Sequence, residues 1–447
     1  MRTILFQLAL LIISNTVIAQ DYQRKFTLQQ CLDLAIHNSY AAYKANLDIS
    51  EAGYHIHEVR SNVLPQISAS GSFDYSILLP TTMIPGEIIG QPGTQIPVHM
   101  GTKNVLDFGA TIEQVIFAPT LFTGIKIAKN NLELQRLRAT MTKEEVIFNV
   151  SNAFYDILNN MQELENVNYM ISRQDSLYVL IKKQVEENVT REIDLNRIKI
   201  NLTGLQARGK NVKNTIWQQK RYLQILIGMP IESAFELDDS EIKNIQVSGL
   251  RAYSAPQNKI ELEVLDKQKE ILELEIHNQK ANYLPTLSAV TTAGYQFQSD
   301  KLNLLRKPWF SSAIIGARLS IPIFDGLSNR SKIEQKQILL QGLYRDIRET
   351  QQNISANYQN AKNQLGIIYE LIQDQSENLK LAEKVYFQTM ALYTEGLADI
   401  TDLLETESSL HEAKIAYTTE LLRYKKTEID LLKASGTLEN LLSYNKK

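Results

Sequence analysis

One arrangement occurs twice in this chain, and each time it ends a helix and opens a strand. His57-Glu58-Val59-Arg60-Ser61-Asn62-Val63-Leu64-Pro65 runs into Gln66-Ile67-Ser68-Ala69-Ser70-Gly71-Ser72-Phe73-Asp74-Tyr75. His277-Asn278-Gln279-Lys280-Ala281-Asn282-Tyr283-Leu284-Pro285 runs into Thr286-Leu287-Ser288-Ala289-Val290-Thr291-Thr292-Ala293-Gly294-Tyr295. Proline disfavours helix in the residue before it, and the small-residue stretches that follow alternate with period two. A repeat at about half the chain length implies a duplicated structural unit. A helix that gives way to such a strand implies a chain that changes solvent along its own length.

The first residues set the compartment. Arg2 precedes an apolar run from Ile4 to Ile13, then Asn15-Thr16-Val17-Ile18-Ala19, the layout of a signal peptide spanning 1–19. No later stretch approaches the roughly 20 apolar residues of a membrane helix. The mature chain therefore divides into a first repeat, 20–230, and a second, 231–447. Cys31 is the single cysteine, so it forms no disulfide within the chain; its place in an apolar helix predicts burial. Lipidation there is disfavoured, because Asp21, Arg24 and Lys25 separate it from the apolar run.

Few glycines and prolines among many Leu, Ile, Glu, Lys, Gln and Asn predict a mainly helical chain. Thr27 is the expected N-cap of a short helix, and a second helix is expected from Tyr40 to Leu64. Strands are expected over 66–78, 104–117, 286–299 and 309–321. The segment Pro80–Gly101 reads as a loop broken by Pro85-Gly86 and Pro92-Gly93. Between Ile125 and Glu187 there is neither proline nor glycine, which predicts roughly 95 Å of helix. A return helix closes at Gly228-Met229-Pro230, so one helical hairpin is expected over 125–228 and a second over 327–435. Each long helix is matched in length by two shorter ones. The sums pair the first return helix with the helix before Pro285, and the second with the helix before Pro65.

The long helices carry heptads. Leu340, Ile347, Ile354, Ala361 and Ile368 recur every seventh residue, as do Leu134, Met141, Phe148 and Tyr155. Companion positions in the later helix are mixed: Leu343 and Leu371 alternate with Thr350, Asn357 and Gln364. A coiled-coil rod explains the heptads and leaves the strands unexplained. In the last strand Trp309, Ala313, Ile315, Ala317, Leu319 and Ile321 suit lipid, whereas Ser312, Gly316, Arg318 and Ser320 suit water. Trp309, Phe310, Tyr75 and Tyr295 sit near strand ends, where aromatic girdles form. Four strands leave two edges, and unpaired backbone in a bilayer costs several kcal/mol per group. The strands must then be pooled between chains.

These residues resemble the TolC-like outer-membrane efflux proteins across nearly the whole mature chain. The resemblance is carried by Leu64-Pro65 and Leu284-Pro285, by Leu319-Ser320-Ile321-Pro322-Ile323-Phe324-Asp325-Gly326 before a long helix, and by Ser435-Gly436-Thr437-Leu438 after the last one. It implies a mainly α chain with membrane β: a homotrimer forming a 12-stranded β-barrel continued by a 12-helix tunnel, with a small mixed domain. Pro65, Pro119, Pro285 and Pro322 would mark the barrel–tunnel junctions. The corner at Pro119 carries one extra residue before Phe122 and should differ in detail.

The resemblance further implies the outer membrane of a Gram-negative bacterium and a periplasmic membrane-fusion or adaptor protein as partner. Beyond the adaptor it implies an inner-membrane efflux pump or ABC exporter, and export of small molecules or polypeptides, including type I secretion. It places a gate at the hairpin tips. Asp402 and Glu405 match an acidic pair that rings the constriction; Tyr393 and Asp194 match a tyrosine and an aspartate that hold it closed. Ala398 stands where that lock has an arginine, and Arg191 is the nearest substitute. Asn188 occupies the usual glycine position of the first tip, where it tolerates a left-handed backbone.

No Gly-x-Ser-x-Gly elbow, phosphate-binding glycine loop or paired-histidine zinc helix is present. No enzyme, cofactor or metal is expected. His55 and His57, two apart, face different sides of their helix. A formal charge of −3 with no basic, aromatic-laced patch leaves nucleic acid without support. The alternative class is a soluble periplasmic coiled-coil adaptor or spacer, which predicts no strands in the duplicated segments.

Overall fold

The computed structural model describes residues 25–442, apart from 91, 190, 244, 246, 248–255, 257–258, 303–307 and 399. The signal peptide expected over 1–19 lies outside them. The fold is mainly helical. In chain order it comprises β1 (Lys25–Phe26), α1 (Leu28–Asn38), α2 (Tyr40–Ser61), β2 (Gln66–Tyr75), β3 (Thr81–Pro85), β4 (Gln95–His99) and β5 (Asn104–Phe117). Then follow α3 (Pro119–Glu186), α4 (Glu192–Leu226), β6 (Glu236–Leu237), α5 (Ser240–Lys243) and α6 (Ile260–Ala281). The chain closes with β7 (Thr286–Ser299), β8 (Trp309–Ser320), α7 (Ser328–Thr394), α8 (Ile400–Ser435) and a 3-10 turn.

The compact units cut across the sequence halves, each drawing on both. One comprises the chain up to Leu47, Leu137–Glu263 and the chain from Arg348 onward; the other comprises Asp48–Arg136 and Val264–Ile347.

In the second unit β2, β5, β7 and β8 form an antiparallel four-stranded sheet in that order. β2 and β8 are its two edges, and within this chain the sheet does not close on itself. A register shift between Val115 and Phe117 leaves Phe117 opposite Leu287. Such a bulge inserts one extra residue, so Ile116, expected on the apolar face by simple alternation, yields that place to Phe117. The segment 80–101 is not a plain loop: β3 and β4 pair as a hairpin around a 3-10 turn at Gly86–Ile89. Its two Pro-Gly pairs bracket that turn, and Pro97 is tolerated because a two-stranded ribbon leaves each strand one free edge.

α3 starts at Pro119, six residues ahead of the start expected at Ile125. Proline is at ease in the first helical turn, where its missing N–H has no partner to lose, and Thr123 donates to the Pro119 carbonyl at 3.0 Å. α2 ends at Ser61, where the N–H groups of Val63 and Leu64 turn back to Arg60 and Ser61 at 3.0 and 2.9 Å. β2 stops at Tyr75, short of the expected 78.

In the first unit Thr27 and Gln30 form a reciprocal capping box at α1. Cys31, Leu32 and Ala35 pack fully buried against Ile147, Val150 and Phe154 of α3, Leu223 and Ile227 at the end of α4, and Leu422 and Ile429 of α8. The parallel pair β1–β6 extends this small mixed assembly, with Phe26 and Phe235 rings 5.4 Å apart.

The short helices join differently from the expected pairing. The turn after α4 abuts the turn between α1 and α2: Gly228 has φ 69°, and a Cβ there would collide with the Asn38 carbonyl. Lys259, just before α6, donates to the Lys433 carbonyl in the last turn of α8 at 2.6 Å. Thus α2 follows on α4, and α6 on α8. Length sums are blind to this choice, because α2 and α6 are each 22 residues long.

Along α7 the half-buried and buried positions recur at three- and four-residue steps through 340, 343, 347, 350, 354, 358, 361, 365, 368 and 372. Tyr358, Leu365 and Ile372 form the core there with Ile368, Leu421, Tyr424 and Leu431. The companion seam therefore passes through Tyr358 and Leu365, while Asn357 is exposed.

Candidate functional site

The sheet register sorts side chains by solvent. Trp309 opposes Phe297, which opposes Leu106, which opposes Phe73; Ile315, Thr291, Ile112 and Ile67 align likewise. One face thus carries Trp309, Phe297, Tyr295, Phe108, Phe73 and the isoleucines. The other carries Ser312, Arg318, Thr292, Ser288, Asp107, Glu113, Ser72 and Asp74, with Phe310, Ile314, Val105, Val115 and Val290 as apolar exceptions. On the apolar face Trp309 lies 5.5 Å from Phe297 and 6.0 Å from Phe108, ring to ring. On the polar face Arg318 reaches Glu113 at 4.0 Å. β8 is exposed along its whole length, including Ile315 at 84 %.

The four prolines stand where helix and strand meet. Pro65 and Pro285 directly precede β2 and β7, and Gln114 of β5 donates to the Val63 carbonyl at 3.3 Å beside the first. Pro119 is the first residue of α3, whereas Pro322 stands six residues before α7. The two corners therefore differ. In the second, Gly326 and Leu327 take positive φ and Asp325 accepts from the Asn329 N–H at 2.7 Å, capping α7.

Both hairpin tips use one turn geometry. At the first, Asn188 has φ 58° and the Val189 N–H returns to the Gln184 carbonyl at 2.8 Å. At the second, Gly396 has φ 72° and the Leu397 N–H returns to Leu392 at 2.8 Å. These are the bonds that satisfy orphaned carbonyls when a left-handed residue ends a helix, and asparagine serves where glycine is usual. Val189 and Leu397 project from the tips, 70 % and 71 % exposed.

Asp194 sits in the first turn of α4, where the helix dipole favours an anion. Its carboxylate lies 3.7 Å from Arg191 and 3.6 Å from Arg197. Asp402 lies in the first turn of α8 and Glu405 three residues on, both exposed. Tyr393 lies in the last turn of α7, partly exposed. The structure therefore brings Arg191 to Asp194, and the two acids to one helix face. Among the described residues no hydrogen bond joins Tyr393 to Asp194. Asp399 lies outside them.

One cluster escaped the sequence reading. Tyr169 of α3 stacks on His411 of α8 with ring centroids 3.7 Å apart, beside a cavity of about 310 Å³ lined by Arg173, Ser176, Leu180, Leu404 and Glu407. The signal available was the three- and four-residue spacing of Leu404, Glu407 and His411, which places a histidine in a helix seam. His55 accompanies Glu58 at 2.9 Å in solvent, as a surface residue does.

Comparison with known proteins accords with this geometry. The family described as "Outer membrane efflux protein" matches residues 253–437. "Outer membrane protein TolC" of Salmonella enteritidis is 18 % identical over 414 residues, covering 90 % of this chain and 80 % of that protein. The Campylobacter jejuni CmeC outer membrane channel superposes with TM-score 0.70 at 15 % identity, over 92 % of this chain and 85 % of that one. Vibrio cholerae VceC, an outer membrane protein, superposes with TM-score 0.68 at 14 % identity, over 92 % and 96 %. Such proteins are transport channels, not enzymes. The two-faced sheet, the long helical hairpins, the family matched over 253–437 and the relatives aligned along almost the whole chain agree: this chain is similar to the TolC-like efflux proteins of the outer membrane and shares their fold.

Proposed function

We propose that the protein is a homotrimeric channel-tunnel: a 12-stranded barrel in the outer membrane continued by a 12-helix tunnel in the periplasm. It is built from two repeats, 20–230 and 231–447, with Pro65, Pro119, Pro285 and Pro322 at the junctions. The carrying observation is the sheet, apolar on one face, polar on the other and open at β2 and β8. Open edges are not tolerated in hydrocarbon, so each edge pairs with that of another copy, and closure puts the polar face around a wet lumen. A soluble adaptor would leave the apolar face without a matching solvent.

The tips dock a periplasmic adaptor, through which an inner-membrane pump or ABC exporter delivers small molecules or polypeptides. The exposed apolar Val189 and Leu397 suit that contact. Asp402 and Glu405, repeated by three-fold symmetry, form the acidic constriction, and Asp194, Arg191 and Tyr393 brace it closed. The test is extraction and conductance. A heat-sensitive oligomer in the outer-membrane fraction, released only by detergent and conducting in planar bilayers, is expected; release by salt alone with no conductance refutes the channel.

A further inference from the structure

The first hairpin (α3, α4) meets the second (α7, α8) at the Tyr169–His411 stack, 3.7 Å between ring centroids. The His411 Nε2 is buried with no hydrogen-bond partner among the described residues. We propose that this stack is a proton-sensitive joint between the two hairpins, closed while the imidazole is neutral and released when it takes up a proton. The proposal names a regulator for the tip gate and rests on that reading.

The chemistry follows from what surrounds the ring. From α3 it is faced by Tyr169 and Glu165; from α8 by Glu407, Glu412 and Lys414. Burial and the neighbouring Glu407 push the Tyr169 hydroxyl above its ordinary pKa, with Arg173 opposing, so the stacking partner stays uncharged. Burial, the largest influence, holds the His411 pKa below its ordinary value, with Lys414 acting in the same direction; Glu165, Glu407 and Glu412 oppose it. An exposed imidazole titrates at about 6.5. The joint is therefore at full strength above that pH and is lost as pH falls through the lower value of the stacked ring. The protonated ring gains water only when α3 and α8 part, which couples acid to separation of the hairpins.

Spin labels at Ser176→Cys and Ser409→Cys, in a Cys31→Ala background, report the α3–α8 separation in the full-length protein in liposomes. A single short distance is expected at about pH 7.5, giving way toward about pH 5 to a longer one with a midpoint below ~6.5. His411→Phe, which keeps an aromatic stack, and His411→Gln, which keeps polarity, should both hold the pH 7.5 distribution at pH 5. Glu407→Gln should shift the midpoint further to acid. Equal lengthening in the two His411 variants, or none in the wild type, overturns the proposal. Conductance recorded on the same proteins separates the two readings: a distance that changes with pH while conductance does not refutes the gate and leaves the joint standing.

Discussion

Lys259, 4 % exposed, donates its ammonium to the backbone carbonyl of Lys433 at 2.6 Å. The last carbonyls of a helix have no partner within it, and here the residue preceding α6 supplies one to α8. Glu261 stands 3.4 Å from the same nitrogen. Lys259→Met keeps the length of the side chain and removes its charge. A charged hydrogen bond contributes about 1.5–3 kcal/mol, so this variant is expected to lose stability of that order, read as a lower melting temperature of the detergent-solubilised protein.

Glu144 is expected to link stability to pH in the sense opposite to His411. Burial pushes its carboxyl above the ordinary range, with Lys259 and Lys433 opposing and Glu261 and Glu439 adding to the rise. A carboxyl raised in the folded state gives full stability below its unfolded pKa and loses it as pH rises through the folded value. Glu144→Gln should therefore raise the melting temperature at about pH 7.5 and leave it unchanged near pH 4. An equal change at both values contradicts this account.

Two glycines on the polar face of the sheet offer an internal control. A Cβ on Gly294 would stand 3.0 Å from the Phe108 carbonyl, whereas one on Gly316 would meet nothing within 4 Å. Gly294→Val is expected to reduce the yield of folded oligomer on unheated gels, and Gly316→Val to leave it close to wild type.

The two faces should respond oppositely to charge. A lysine on the lipid side of a barrel costs about 2–4 kcal/mol near mid-membrane, so Ile315→Lys is expected to impair insertion, seen as loss of protein from the outer-membrane fraction. Ser312→Lys, three residues away and on the other face, should insert normally and shift ion selectivity toward anions in planar bilayers.

At the tips, Asp402→Ala combined with Glu405→Ala is expected to abolish block of single-channel current by multivalent cations. Asp194→Ala or Tyr393→Phe should raise conductance by loosening the brace. Persistent block in the double variant dismisses the acidic ring.

What the residues made legible was set by local physics. The 104–117 and 286–299 strands and the capped helix at Thr27 stand as expected, because period-two alternation and a capping box act over a few residues. The asparagine in the left-handed turn at 188 was readable for the same reason. What was hidden depends on meetings of distant segments. The succession of α4 by α2 rests on the Gly228–Asn38 approach, which no length could reveal. The shift of the seam to Tyr358 and Leu365 is fixed by α8, and the parallel pair β1–β6 joins two-residue strands far apart in sequence. The candidate site divides in the same way. The acidic pair is a one-helix spacing, whereas the contact of His411 with Tyr169 exists only once two hairpins have come together.

In the proposed trimer, a sheet that ends in two open edges makes maturation a collective event. No single molecule would reach the closed state unaided, so the rate at which finished channels appear is expected to rise more steeply than the rate at which chains are delivered. Scarce chains would wait with sticky margins exposed, vulnerable to proteolysis or to pairing with the wrong strand. Supply, and whatever shields those margins in transit, then sets how many pores a cell has.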